Sequence, residues 1–403
     1  MTSSVTSTVS PFLSRVFISE TWRAMIQTRR MCKDLDNIDI DRRGRSWKEC
    51  WLRRYVLYKL PKVSQSSDPL IRSGLAYLYI TNKTVTKADE GWQLSTKKIS
   101  DKDSIPGNTL APLYNDTEAT KTFWILYNDD PPNKPSNGKY GHAKGAVVTN
   151  MEQGFWLIHS VPNYPPVPNS GNDTKRGKDA QENPAPGNRS EYGYPSSGEN
   201  YGQSFLCISM NGDQFDSIGQ QFMYNEIIVY RKNIPPTFAQ SFPTLTDAAN
   251  QKRIRKAPFN SKVILYSLNN VLFISFAKNS KWQHDLYDKF VAPTLQSDLL
   301  AETWLNGRGK LPSDCERIKV YNIKSILIPM QKGQLNIDFK SSHDHSKWAV
   351  AIENKVNQTW ICIGDINRAD TQYLRGGGTV CFNHQKVWKK YRYIVNDIES
   401  CPK

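Results

Sequence analysis

The chain has 403 residues, and its 53 Lys and Arg against 38 Asp and Glu leave a formal net charge of +15. That length is beyond a small disulfide scaffold and provides for two or three domain-sized cores or one duplicated unit, while 11 Trp and 11% aromatic residues exclude a disordered chain. The cationic excess points to a polyanionic partner, nucleic acid ahead of an acidic membrane surface, and charge alone does not separate the two.

Residues 1–54 read as a separate N-terminal segment, Ser/Thr-rich and then Arg-rich, with Asp41-Arg42-Arg43-Gly44-Arg45 and Arg53-Arg54 flanking Trp47 and Trp51. The apolar stretch from Phe12 to Ile18 is short for a secretory signal and is interrupted by Arg15. No run approaches the ~18–20 apolar residues of a membrane-spanning helix, so no membrane span is expected. Strand signals come at Tyr55 to Tyr58, Leu75 to Ile80 and Thr122 to Leu126. Two Pro/Gly/Asn-rich interruptions follow, Asp129 to Tyr140 and the long polar loop 165–203.

Strand-like runs resume at Ser204 to Ser209, Ile227 to Tyr230, Val263 to Ser267, Val271 to Phe276, Ile323 to Ile328, Trp348 to Ile352 and Trp360 to Ile363. Helices are expected over Trp282 to Leu300 and over the basic stretch Gln385 to Tyr393. Strands and helices are interspersed, which makes the fold class mixed α/β. A stretch with Pro235-Pro236 and a charge cluster, between Tyr230 and Arg255, divides the chain into halves 55–240 and 241–403.

The chain also echoes itself. One copy reads Gly141-His142-Ala143-Lys144, then Trp156, then His159-Ser160-Val161-Pro162-Asn163. The other reads Asp344-His345-Ser346-Lys347, then Trp360, then Gly364-Asp365-Ile366-Asn367. Lys to Trp is 12 residues in one copy and 13 in the other, and Trp to Asn is 7 in both, a coincidence that a lone His-x-Lys would not carry. Beside a strand, residues i and i+2 share a face, so imidazole and ammonium line one pocket. The Trp-x(6)-Asn segment is expected to be the neighbouring strand and its exit turn.

Halves related by a pseudo-two-fold would unite both pockets in one site that suits phosphodiester cleavage. One His attacks phosphorus to give a phosphohistidine, the other protonates the departing oxygen and then activates water, and Lys144, Lys347, Asn163 and Asn367 hold the phosphoryl oxygens. His142 is assigned as nucleophile and His345 as acid, although near-symmetry leaves the exchange open. The lysines supply the positive charge that a metal would otherwise bring, and no cofactor is invoked. An imidazolium acid implies an acidic optimum.

The paired His-x-Lys motifs resemble those of the phospholipase D superfamily, and the wider wording resembles its branch of metal-independent acid deoxyribonucleases of type II. Tyr58-Lys59-Leu60-Pro61, Gly141 to Gly145, Gly154 to Pro165, Ser275-Phe276-Ala277-Lys278, Asp285-Leu286-Tyr287, Asp344 to Trp348, Trp360 to Arg368 and Arg375-Gly376-Gly377-Gly378-Thr379 carry the likeness. The resemblance implies two α/β/α sandwich halves around one shared active site. It also implies an endonuclease on double-stranded DNA that leaves 3′-phosphate ends and is lysosomal or secreted. In that setting His159, Asp365 and Arg375 become candidate substrate contacts; His159 reads equally as a structural hydrogen bond, and Arg375 with its glycines as a tight turn. Two features depart from the pattern: Thr149 and Asn150, and Glu353, stand where the superfamily places an Asp, and 42–54 looks inserted.

Seven Cys without a Cys-x-x-Cys argue against structural zinc and thioredoxin-like chemistry. By the family's pattern the pairs are Cys32–Cys207, Cys315–Cys401 and Cys362–Cys381, with Cys50 left over. Sequons at Asn82, Asn115, Asn172, Asn188 and Asn357 accord with an oxidising compartment. His343-x-His345 lacks the further ligands of a metal site, and His284 and His384 read as surface residues. The rival reading is a secreted DNA-binding or interaction protein of the same fold without catalysis; a phospholipid-hydrolysing relative would need an apolar acyl-binding surface that the polar loops do not offer.

Overall fold

The strand signals resolve into antiparallel ladders, in a computed structural model that describes residues 54–82, 84–86, 92–132, 134–168, 191–329, 336–353 and 358–402. Cys32, Cys50, all but the last residue of the 42–54 segment, the sequons at Asn172, Asn188 and Asn357, and residues 169–190 of the polar loop lie outside them.

In chain order the first sheet is built from β1 (Tyr55–Lys59), β2 (Tyr77–Thr81), β3 (Gln93–Leu94), β4 (Phe123–Asn128), β5 (Lys144–Thr149), β6 (Gln153–His159), β7 (Gln203–Asn211) and β8 (Val229–Asn233). The second comprises β9 (Asn260–Tyr266), β10 (Leu272–Lys278), β11 (Leu299–Glu302), β12 (Val320–Ile328), β13 (Ile337–Lys340), β14 (Trp348–Ala351), β15 (Trp360–Gly364), β16 (Gly377–Asn383) and β17 (Val395–Ile398). Among the described residues the architecture is mixed α/β, with two large sheets and few helices.

The first sheet runs β3-β2-β1-β7-β6-β5-β4-β8 and the second β13-β12-β11-β14-β15-β16-β10-β9, with β17 paired to β12. Their central strands, β1-β7-β6-β5-β4 and β10-β16-β15-β14-β11, share one order. In each, the first strand in sequence lies beside the last, and the others run back to the second, every pair antiparallel. The echo in sequence is therefore an echo in topology.

Both sheets feed one apolar core. Val56, Tyr58, Trp156 and Leu206 of the first pack in the same cluster as Trp348, Val350, Ile361 and Ile363 of the second, and the Tyr58 and Trp348 rings stand 6.5 Å apart. Helix α1 (Phe215–Asn225) follows β7, and helix α2 (Gln385–Arg392) follows β16. In α1, Phe222 meets Tyr127 and Trp156 at 4.8 and 5.5 Å, while Gln221 accepts from Ser275 of β10 at 3.2 Å. In α2, Val387, Trp388 and Tyr391 are buried, as an amphipathic helix requires. Lys389, Lys390 and Arg392 occupy its last turn, where the helix dipole favours cations. His384 caps that helix by accepting from Val387 at 3.4 Å.

One expectation is corrected. Trp282 to Leu300 is not a single helix: a 3-10 turn at Ser280–Trp282 ends at Gln283, whose φ is +59°. Asp285 then accepts from the amides of Tyr287 and Asp288 and starts a new turn. A π-helical turn, Tyr287–Val291, and a short α-helix, Ala292–Leu295, follow. Gln296, at φ +51°, closes the helix before β11.

Two of the three disulfides expected from the resemblance are present, Cys315–Cys401 and Cys362–Cys381. Cys207 is buried in β7 without a disulfide partner among the described residues. The Cys315–Cys401 bond closes a span of 86 residues and ties the C-terminal segment to the second sheet. Chain-entropy reasoning gives a loop of that size about 4–5 kcal/mol, against about 3 kcal/mol for the span of 19 residues. Replacing Cys315 and Cys401 together by Ala is therefore expected to lower the denaturant midpoint more than replacing Cys362 and Cys381, as checked by equilibrium unfolding.

Candidate active site

The two His-x-Lys motifs stand at corresponding strand starts. Lys144 opens β5 and pairs with Asn128 of β4, whereas Lys347 immediately precedes β14, whose Trp348 pairs with Glu302 of β11. Backbone approach between the halves is close around both motifs. His142 donates its amide to the carbonyl of Gly376 at 2.9 Å, and His345 donates to Gly202 at 2.9 Å. Gly141 is needed there, since a Cβ would lie 1.8 Å from the carbonyl oxygen of Asn225.

Each imidazole is held by the opposite half. His142 Nδ1 donates to the carbonyl of Asp365, just beyond β15. His345 Nδ1 donates to the carbonyl of Ser160, just beyond β6, at 3.0 Å, and lies 3.2 Å from Gln203 Oε1. In the ladders, Ile158 of β6 faces Gly145, and Ile363 of β15 faces Trp348, so Ser160 and Asp365 are equivalent positions and the two bonds are one bond repeated. A carbonyl only accepts, which fixes the proton on Nδ1 of each neutral ring and leaves Nε2 with its lone pair.

The electrostatics follow from burial and from the lysines. Burial, then the charge of Lys144, pushes His142 well below the ordinary histidine value. Burial, then Lys347 and Lys144, does the same to His345, so the two motifs share one field. Lys347, buried beside Lys144, is itself held well below the ordinary lysine value, and its Nζ donates to the carbonyl of His345.

A carboxylate that sequence reasoning did not single out completes the first motif. Asp129 pairs with Lys144, lies 4.0 Å from His142 Nε2 and accepts from Arg375 at 3.0 Å. Burial would raise its pKa, but Lys144, His142 and Arg375 outweigh that and hold it below the usual carboxylate range. The signal available in the sequence was positional: Asp129 directly follows the strand that ends opposite Lys144.

The remaining candidates fall into distinct places. Asp365 is buried, and burial raises its pKa to about 7 against the opposing pull of the Gly378 amide and Lys144. Asn367 accepts from the Trp304 amide through Oδ1 at 3.3 Å, which orients its NH2 group. Asn163 is turned away, its Nδ2 donating to Asp130 and Pro131 at 3.2–3.3 Å. Arg375 is committed to the carbonyls of Tyr140, Asn137 and Gly141 besides Asp129. His159 accepts from the Val161 amide on Nδ1 at 3.2 Å; its Nε2 is buried without a partner among the described residues, and burial first, then Lys144, holds its pKa low. Asn150 sits in the β5–β6 turn, where it accepts from Glu152 and Gln153, about 20 Å along the strand from Lys144. Glu353 is exposed just beyond β14. His343 is exposed as well, and His284 lies 5.2 Å from the Trp282 ring.

Known proteins share this sequence over most of its length. A family model described as Deoxyribonuclease II matches residues 52–401. Rat deoxyribonuclease-2-alpha is 36% identical over 351 residues, 86% of this chain and 91% of the relative. Human deoxyribonuclease-2-beta is 33% identical over 352 residues, 86% and 88% of the two chains. Plancitoxin-1 of Acanthaster planci is 34% identical over 350 residues, 86% and 89%.

Both site imidazoles are expected to titrate below the reference value of about 6.5, as followed by NMR of ring protons assigned with His142→Ala and His345→Ala. The Asp129 charge raises the pKa of His142, so Asp129→Asn should move the His142 midpoint further down.

Proposed function

The chain belongs to the deoxyribonuclease II family and is a hydrolase acting on DNA; from that premise we propose that it is an acid endonuclease that cleaves double-stranded DNA without a divalent metal. The observation that carries this reading is the crossed pair of hydrogen bonds, which holds both imidazoles by Nδ1 and leaves Nε2 as the reactive nitrogen of each, while the charges of Lys347, Lys144 and His142 all act on His345. We further assign the two sheets to phospholipase-D-like α/β/α halves, related by a pseudo-two-fold, with the chain passing from one to the other near residue 240.

In the first step the His142 Nε2 lone pair forms a bond to phosphorus and the P–O5′ bond breaks. His345, as imidazolium, delivers its Nε2 proton to the departing O5′. The phosphoryl group then remains on the 3′ oxygen and on His142. In the second step neutral His345 takes a proton from water, the hydroxide oxygen bonds to phosphorus, and the P–N bond breaks to release a 3′-phosphate. Lys144, Lys347 and the Asn367 amide neutralise the non-bridging oxygens. Asn163 and Arg375 act by positioning the Asp129–Pro131 loop, and Asp129 by orienting Lys144. Exchange of the two histidine roles is decided by which alanine variant still traps labelled phosphohistidine.

Charge outside the site supports a DNA substrate. Lys252, Arg255 and Lys256 are exposed on a segment whose Ile254 amide donates to Met223 of α1 at 3.4 Å. Arg253 of the same segment stacks 3.7 Å above the Tyr140 ring. This cationic edge begins beside Gly141 and suits sequence-independent phosphate contacts. Two disulfides support an oxidising compartment, lysosomal or secreted; among the described residues no helix is long and apolar enough to cross a membrane.

Supercoiled plasmid at about pH 5 in EDTA should be nicked by the unaltered protein. His142→Ala and His345→Ala should each lose about a thousandfold, in the range of lost acid–base and nucleophilic groups. Retention of DNA without nicking would instead support the non-catalytic binding protein. Because burial and the lysines lower both imidazoles, the acid form disappears as pH rises. The alkaline limb of kcat/KM is therefore expected below about pH 6.5, and a maximum above pH 8 would overturn the mechanism.

A further inference from the structure

The repeat is broken at one position beside the catalytic centre. Asn128 faces Lys144 across the β4–β5 ladder, and one step beyond the Glu302–Trp348 pair places Thr303 opposite Lys347. The residue after Asn128 is Asp129, and the residue after Thr303 is Trp304. Where the first half sets a carboxylate beside His142, the second therefore sets an indole beside His345. The Trp304 ring lies 5.1 Å from the His345 ring, edge-on at 70°, and 4.8 Å from the Tyr201 ring at 85°.

These rings are not core. Trp304, Tyr201 and His345 are all half-buried, whereas the structural tryptophans Trp124, Trp156 and Trp348 are at most 2% exposed. The pair is also held rigidly from both halves. The Trp304 amide is bonded to Asn367, and Gly202, next to Tyr201, exchanges two backbone hydrogen bonds with His343 and His345 at 2.9 Å each. A Cβ on Gly202 would lie 2.4 Å from Asp344 Oδ1, so the close approach that brings Tyr201 to Trp304 depends on glycine. A rigid, partly open aromatic surface next to a catalytic imidazole has the chemistry of a base-stacking platform.

We propose that Trp304, buttressed edge-on by Tyr201, forms a nucleobase platform, on which the base flanking the scissile phosphate on the His345 side stacks. This rests on the nuclease reading and goes beyond it, because stacking inside a duplex requires that base to leave its neighbours. The site is then polar: the His142 side opens toward the cationic Lys252 to Lys256 edge, which follows phosphates, and the His345 side takes a base. Trp304 and Tyr201 become specificity-determining residues that favour a locally opened or mismatched step over a tightly stacked one.

The test separates stacking from turnover. In one arm, duplex oligonucleotides carrying 5-iododeoxyuridine at a single site are irradiated with the protein at neutral pH and the crosslinks are mapped by mass spectrometry; crosslinks at Trp304 or Tyr201 are expected, and crosslinks confined to other residues would overturn the platform whether or not the protein cleaves. In the other arm, kcat/KM at pH 5 is measured on an oligonucleotide with one phosphodiester among methylphosphonates, with the flanking base on one side or the other replaced by a tetrahydrofuran abasic residue. Removing the base on one side should cost the unaltered enzyme about tenfold. Trp304→Ala should lose a similar factor on the intact substrate and be indifferent to base removal, while Trp304→Phe should keep most of the discrimination and so exclude misfolding as the cause. An unaltered enzyme indifferent to both abasic substitutions, or a Trp304→Ala loss equal on intact and abasic DNA, refutes the proposal. Failure to nick plain plasmid refutes the nuclease reading alone.

Discussion

The site depends on one hydrogen bond made twice, from the Nδ1 of each motif histidine to the strand-end carbonyl of the other half. Neither half can orient its own imidazole, because the acceptor comes from across the junction. The fixed tautomer leaves each Nε2 unprotonated in the neutral ring, as a nucleophile needs, and adds a proton there in the imidazolium, as an acid needs. A backbone carbonyl performs the orienting task that a carboxylate performs in other histidine sites. Asn150, which accepts hydrogen bonds within the β5–β6 turn, and Glu353, exposed beyond β14, lie away from the rings.

Burial and charge then set the pH at which the pair works. Burial and then the nearby lysines lower both His142 and His345, so each gives up its proton at a lower pH than an ordinary histidine, whereas Asp365, raised to about 7 by burial, loses its charge as pH falls through that value. Asp344 and Glu302 are pushed up by burial as well. As pH falls, Asp129 is the nearby carboxylate that keeps its charge, against Lys144, Lys347 and Arg375, and the pocket becomes more favourable to a phosphate anion. The linkage to stability is divided. The histidines contribute stability above their ordinary value that is lost as pH falls, while the raised carboxyls contribute stability at low pH that is lost as pH rises.

The sequence was most informative where a pattern occurred twice. Each strand signal from Tyr55 to Ile363 lies on a ladder, and Trp-x(6)-Asn is a strand with its exit turn in both halves. Trp282 to Leu300 misled because its apolar spacing suits a helix, whereas Gln283, Asp285 and Gln296 impose local turns that override the period. The matching of Asn163 with Asn367 carried too far: the two follow equivalent strands, but one amide is spent on the Asp130–Pro131 loop and the other is aimed by Trp304. Asp129 and Trp304 escaped notice for the same reason. They occupy equivalent positions, one residue past the position opposite each motif lysine, yet carry unlike side chains, so the repeat does not mark them.

That difference is what a duplicated active site requires. Two identical histidines in identical surroundings would titrate alike, whereas the proposed mechanism needs one neutral and one protonated at the start. The Asp129 charge raises the pKa of His142, whereas no acidic partner figures among the leading influences on His345, which is lowered instead by both lysines and by His142. The assignment of His345 as acid requires the incoming phosphate to favour imidazolium on that ring. A dianionic transition state closer to His345 than to the Asp129 side would do so, since phosphate charge favours imidazolium on the ring it approaches and Asp129 is already neutralised by Lys144 and Arg375. In the proposed mechanism the duplication supplies the two rings, and the substrate's placement between unlike neighbours decides which of them holds the proton.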